Sequence, residues 1–189
     1  MTIEMQVAII GVLGTLGGTI LGWFLNNLSQ SGRLNIYVSS WEEKLKFNNQ
    51  RGEMEESTSK EQTEYYEYRL SLDLYNSSGE PKIMRNIKIL FMENKRKLFE
   101  SSPKDDATKR IGHPVVFYDD VSVVNVPAKT VIKLNLHSGF WKERKQENMR
   151  FDALWKSNRI YLQYTNENNK NKSIKVKQRN LNDYFCGQE

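Results

Sequence analysis

A hydrolase or transferase needs a nucleophile, a base and a group that orients the base. This chain has two histidines and one cysteine with which to build such a set. His113 lies in a Gly112-His113-Pro114 turn, His137 at the end of a predicted strand and Cys186 in the C-terminal tail. No spacing unites them, so each reads as a surface or turn residue, and no paired Cys/His interval suits zinc. The carboxylate pairs Asp105-Asp106 and Asp119-Asp120 could face a divalent cation, yet neither is accompanied by the further acids of a calcium loop. Adjacent loop acids of this kind are ordinarily turn formers. The glycines cluster near the N-terminus with no strand before them, which excludes a phosphate-binding loop. The expectation is a protein with no catalytic residues, no metal and no cofactor.

The remaining chemistry is electrostatic. Lys170, Lys172, Lys175, Lys177 and Arg179 recur near and along a late hairpin. If Ile174 and Val176 face the core, alternation puts Lys175, Lys177 and Arg179 on the other face as a basic stripe. Such a stripe suits anionic lipid, nucleic acid or an acidic partner, and lysines on an edge strand also guard it against pairing with another sheet. The whole chain carries 28 Lys+Arg against 23 Asp+Glu, a net charge of +5. A domain close to a cytoplasmic leaflet accounts for that excess without nucleic acid, for which no binding motif is present. With one cysteine no intramolecular disulfide can form, which agrees with a reducing cytoplasm.

The elements that carry these residues are short strands with period-2 alternation. Leu34, Ile36 and Val38 open the series. Residues 48–63 are polar apart from Met54, which predicts a mobile loop. Tyr66, Tyr68, Leu70, Leu72 and Leu74 form the clearest alternating run and predict a central core strand. After the turn cluster Asn76-Ser77-Ser78-Gly79-Glu80-Pro81 come Ile87, Ile89 and Phe91, then a basic strand at Lys95 to Phe99 and a loop from Ser101 to His113. Two β-branched runs, Val115 to Tyr118 and Val121 to Val126, precede Ile132, Leu134 and Leu136. Trp141 to Met149 is the one helical candidate of this region, a short surface helix. Ile160, Leu162 and Tyr164 then pair with Ile174 and Val176 across the turn Asn166 to Asn171.

About eight short strands without long helices predict an all-β, immunoglobulin-like antiparallel β-sandwich. The order strand, Asn-Ser-Ser-Gly turn, strand, then Pro-preceded strand resembles the immunoglobulin-like modules of many bacterial envelope and membrane-tethered proteins. The single cysteine rules out the disulfide of antibody-type domains.

What precedes the sandwich is of another kind. Met5 to Leu25 is an apolar run without one charge. At 1.5 Å per residue such a run extends roughly 30 Å, the hydrocarbon thickness of a bilayer. It lacks the basic n-region, short h-region and small-x-small site of a cleaved signal peptide. Residues 1–28 are therefore expected to form one N-terminal transmembrane helix, 29–33 a juxtamembrane linker and 34–189 the sandwich. That leaves roughly 155 residues for one ordinary domain. The Lys and Arg all follow the run, which predicts a cell-membrane protein with its N-terminus outside and its domain in the cytoplasm. Trp23 and Phe24 would sit at the interface beside Arg33.

At 100° per residue, Ala8, Gly11, Gly14, Thr15, Gly18, Thr19 and Gly22 share one stripe, opposite Ile9, Leu13, Leu16, Ile20 and Phe24. In lipid, close backbone approach across small residues is the usual way helices associate. The implied partners are membrane lipids, a second copy or a partner transmembrane helix, and a protein bound by the domain. Two functions fit: a membrane-tethered binding or sensing module with a self-associating helix, or a membrane-disrupting pore assembled through the glycine face.

Overall fold

In the computed structural model, which describes residues 2–112, 115–142 and 145–185, an N-terminal helix leads into two facing sheets. The helix, α1 (Ile3–Gln30), contains no buried residue. The first sheet has the order β2 (Met54–Glu56), β1 (Leu34–Asn48), β3 (Tyr65–Asn76), β10 (Val131–Trp141), β6 (Lys104–Asp105). The second has the order β12 (Asn171–Gln178), β11 (Arg159–Thr165), β4 (Lys82–Glu93), β5 (Arg96–Ser101), with β9 (Val124–Val126) paired to the start of β4. A small hairpin, β7 (Arg110–Ile111) and β8 (Val116–Phe117), stands apart. Every pairing is antiparallel. The chain is thus an immunoglobulin-like β-sandwich preceded by one helix long and apolar enough to span a membrane.

Alternation places the core. Tyr66, Tyr68, Leu70, Leu72 and Leu74 of β3 are all buried between β1 and β10. They meet Met84, Ile87, Ile89 and Phe91 of β4 and Ile160 and Leu162 of β11 in one cluster. Its aromatic part is well ordered: Phe91 stacks on Phe99 at 4.3 Å and Trp41 on Tyr68 at 4.9 Å between centroids, contacts worth about 0.5–1.5 kcal/mol each beyond their area.

The helix expected at Trp141 to Met149 is displaced. Trp141 ends β10, and α2 runs Lys145–Lys156. Phe151, Leu154 and Trp155, spaced by three and four, supply the apolar stripe that fixes it. Phe151 and Leu154 are buried, and the Phe151 ring lies 5.3 Å from that of Phe140. Because α2 carries core residues, it is more than the surface helix its first turn suggests.

The polar segment at 48–63, where a mobile loop is expected, contains strand β2 and a set of local hydrogen bonds. Its hydrogen bonds do what apolar groups do elsewhere. Residues Met54–Glu56 pair with Lys46–Asn48 of β1, Asn49 Oδ1 accepts from the amides of Arg51 and Glu53 at 2.9 Å, and the Thr63 hydroxyl donates to the Ser59 carbonyl at 2.8 Å. Ser57 and Thr63 are buried.

Candidate functional site

The helix comes first. Nothing lies within 4 Å of where a Cβ would stand on Gly11, Gly14, Gly18 or Gly22, so the stripe they share with Ala8 and Thr15 is open at each of its glycines. The hydroxyls on that stripe are turned inward along the helix: Thr15 Oγ1 donates to the Gly11 carbonyl at 2.9 Å and Thr19 Oγ1 to the Thr15 carbonyl at 2.8 Å. Trp23 and Phe24 are exposed near its end.

Where the helix leaves, the backbone is clamped. The Ser31 amide donates to the Asn27 carbonyl at 2.8 Å and its hydroxyl to the Leu28 carbonyl at 2.7 Å, closing the last turn. A Cβ on Gly32 would stand 2.5 Å from Ser78 Cα, and one on Gly79 would stand 2.9 Å from the Ser29 carbonyl oxygen. Only glycine fits at either point, because the 76–81 turn lies against the end of α1. The Arg33 amide donates to Ser77 Oγ at 3.1 Å, and the Ser77 hydroxyl returns a bond to the Arg33 carbonyl at 3.0 Å.

Behind this contact Asn76 is fully buried and its amide nitrogen donates to the carbonyls of Glu80, Val126 and Pro127 at 2.7, 3.0 and 3.0 Å. Its Oδ1 accepts from the Ser78 amide and hydroxyl. Lys129, with φ of 55°, completes the knot by donating its amide to the Ser78 carbonyl at 3.2 Å and its ammonium to the Ser77 carbonyl at 2.6 Å. A left-handed lysine costs roughly 1 kcal/mol and persists where neighbours hold it. The helix therefore joins the sandwich through a built contact, since the short chain between them is bonded on both sides.

Beside the helix exit a cleft of about 670 Å³ opens between the start of β1 and the start of β12. Its lining includes Arg33, Ile36, Lys82, Glu167, Lys172 and Ile174. The β1 wall is a free edge here, because only its last residues, Lys46–Asn48, pair with β2. Lys82 Nζ stands 3.0 Å from Glu167 Oε1. Burial pushes the Glu167 carboxyl up, but its own amide together with Lys82 and Lys172 outweighs this and holds it below the ordinary range. The Lys82 charge is therefore matched within the cleft, while Arg33 and Lys172 have no side-chain hydrogen bond or salt bridge among the described residues.

The five cations expected to form one stripe are distributed by the fold. Lys172 lies opposite Tyr164 and lines the cleft. Lys170 sits at the hairpin turn, whose Asn166 Oδ1 accepts its amide at 2.9 Å. Lys175 is exposed and donates to Gln178 Oε1 at 3.0 Å, and Lys177 Nζ stands 3.8 Å from Glu43 Oε2. Arg179 does not belong to the surface at all. Its side chain is 2% exposed and forms an ion pair with Glu43, hydrogen bonds to Ser157 Oγ and, at 3.0 Å, to the Leu154 carbonyl, and its guanidinium carbon lies 5.3 Å from the Phe91 ring centroid. Strand β12 has ended at Gln178 after a register shift, so simple alternation no longer governs Arg179. Its charge is buried because Glu43 neutralises it there.

The groups first considered for catalysis have structural partners. His137 stands within β10 with Nδ1 against Asp106 Oδ1 and the Tyr118 ring edge-on at 4.1 Å. Asp105 caps the Ala107 amide at 2.9 Å, and Asp119 pairs with Arg110. His113 and Cys186 lie outside the described residues. No signal in the sequence linked Arg33 to Ser77, 44 positions away, or set Arg33 and Lys172 on the walls of one cleft.

Residues 32–178 match the family described as the YopI Ig-like domain, and the chain belongs to that family. It is similar to the SPbeta prophage-derived uncharacterized protein YopI of Bacillus subtilis (strain 168), with 27% identity over 162 residues, 85% of this chain and 88% of that protein. Among solved structures it has a likeness to the putative ApaA protein of Bordetella pertussis, with 8% identity, a TM-score of 0.37 and coverage of 79% of this chain and 93% of that one. A second likeness is to an uncharacterized β-sandwich protein of Clostridium difficile 630, with 11% identity, a TM-score of 0.33 and coverage of 78% and 91%.

Proposed function

We propose that the protein is a non-enzymatic, single-pass membrane protein whose immunoglobulin-like sandwich is a cytoplasmic binding or sensing module, and whose helix self-associates through Ala8, Gly11, Gly14, Thr15, Gly18 and Gly22. The observation that carries this reading is the combination at α1 of complete exposure with a bonded exit. A 28-residue helix with mean hydropathy 1.9 across its most apolar window, none of it buried, is unstable in water but suited to lipid. The clamped exit couples whatever the helix does to the orientation of the domain. The excess of Lys and Arg after the helix favours a cytoplasmic domain.

A binding role is supported by the cleft, whose lining brings cations and amides together with apolar groups. A pore is the less favoured assembly. The Thr15 and Thr19 hydroxyls donate to their own helix, so the small-residue face offers no free donors to a water column.

Cross-linking in native membranes tests the reading. The wild type should give dimers or higher species, and replacing Gly14 and Gly18 with Ile should abolish them while leaving the domain folded. Unchanged cross-linking would contradict the glycine face. Depolarisation of cells that express the wild type, lost in the same double variant, would replace the scaffold with a pore.

A further inference from the structure

We propose that the cleft beside the helix exit binds the phosphate of an anionic phospholipid headgroup, with Arg33 and Lys172 as its cationic contacts. This rests on the reading of α1 as a membrane span, because the helix fixes the depth of the cleft. Arg33 follows the end of α1 by three residues, a reach of at most about 10 Å. The 76–81 turn and Lys129 bond this segment in place, so the cleft has one position relative to the span. The apolar run ends at Leu25, so with α1 across the bilayer five further helical residues, about 7.5 Å, and this short connection put the cleft at the outer edge of the headgroup layer.

The charge arithmetic selects the ligand. Arg33, Lys82 and Lys172 bring three positive charges to the lining and Glu167 one negative charge. Lys82 and Glu167 stand 3.0 Å apart and satisfy each other. Glu167 offsets one of the three positive charges and leaves the lining at +2; Arg33 and Lys172, one from each wall, are the cations outside a salt bridge, and a phosphodiester supplies an anion for them. A guanidinium and an ammonium are the groups proteins ordinarily turn on phosphate. Leu34, Ile36 and Ile174 add apolar groups to the lining, which match the glycerol and first acyl carbons of a lipid better than a fully hydrated ion. The opposite end of the sandwich shows the alternative use of such a charge: Arg179 is buried against Glu43 and offers nothing to a ligand.

The test uses the full chain in nanodiscs of phosphatidylcholine alone or mixed with phosphatidylglycerol, with native mass spectrometry of the lipid that stays bound after release. The wild type should retain phosphatidylglycerol selectively, and each of Arg33→Gln and Lys172→Gln should lower retention roughly fivefold. The control Lys95→Gln/Lys156→Gln, which removes two exposed charges away from the cleft, should leave it unchanged. Both pairs should melt with the wild type, since none of these side chains is buried.

Equal retention in the Arg33→Gln/Lys172→Gln variant would overturn the proposal, as would equal loss in the control, which would make the attraction one of net charge. Displacement of the lipid by inorganic phosphate would assign the cleft to a free anion and overturn the lipid. Release of the wild type from liposomes by alkaline extraction would overturn the membrane span and the cleft's placement with it. Retention in the liposomes without lipid selectivity would overturn the cleft alone.

Discussion

The two ends of the sandwich each hold an arginine, and they use it in opposite ways. At the end from which the helix leaves, Arg33 is exposed, its backbone is bonded into the 76–81 turn, and its guanidinium is free to face the cleft. At the far end Arg179 is withdrawn from solvent, paired with Glu43 and bonded to Ser157 and the Leu154 carbonyl, where it ties the segment after β12 to β1 and to the end of α2. A cation neutralised inside the fold contributes to stability, whereas one held on a rigid frame without a counter-charge is available to a ligand. The difference lies in the partners the fold supplies, since the residue type is the same.

The comparison can be broken most forcefully at the far end. Arg179→Met should leave the Glu43 carboxylate buried without its arginine and cost about 3–5 kcal/mol, read as a lowered urea midpoint of the full-length protein in detergent. Cross-linking through α1 should be unaffected, and adding Glu43→Gln should recover part of the loss. A smaller effect is expected at the helix exit. Asn76→Ala removes the donors to three buried or half-buried carbonyls, at a cost of about 1–3 kcal/mol. Unlike Arg179→Met it should also open the 31–34 segment to limited proteolysis.

The smallest effect is that of pH. Burial pushes the Glu67 carboxyl up, but Lys46 at 2.8 Å and Arg69 at 3.3 Å outweigh it and leave it below the ordinary carboxylate range. A group whose folded pKa is depressed gives stability that is present above its unfolded value and is lost as pH falls through the folded one. Glu100 and Glu167 are depressed in the same direction. The urea midpoint should therefore be level near neutrality and fall below about pH 4, with a shallower fall in Glu67→Gln.

Much of this fold is legible from alternation, because β3, β10 and β11 bury one face each and period 2 exposes that face in the letters. What alternation could not deliver has identifiable causes. The described core residues of α2, Phe151 and Leu154, lie beyond the residues that look most helical. The segment at 48–63 carries side-chain to backbone bonds such as those of Asn49 and Thr63, which composition does not register. Arg179 follows the end of a strand whose register has already slipped, so its direction is set by Glu43, far away in sequence. The helix exit is hidden for the same reason. Gly32 and Gly79 are needed only because the two segments touch, and neither carries a sign of the other.

The central claim is that the end of the sandwich bearing Arg33 and Lys172 rests on a membrane while the end bearing Arg179 faces away from it. Nitroxide labels at Lys172→Cys and at Lys60→Cys, on the opposite end, each in a Cys186→Ser background in liposomes, test it directly. Collisional relaxation by oxygen and by a water-soluble nickel chelate should place the label at 172 at headgroup depth and the label at 60 in bulk water. Two labels with the same aqueous accessibility would contradict the account.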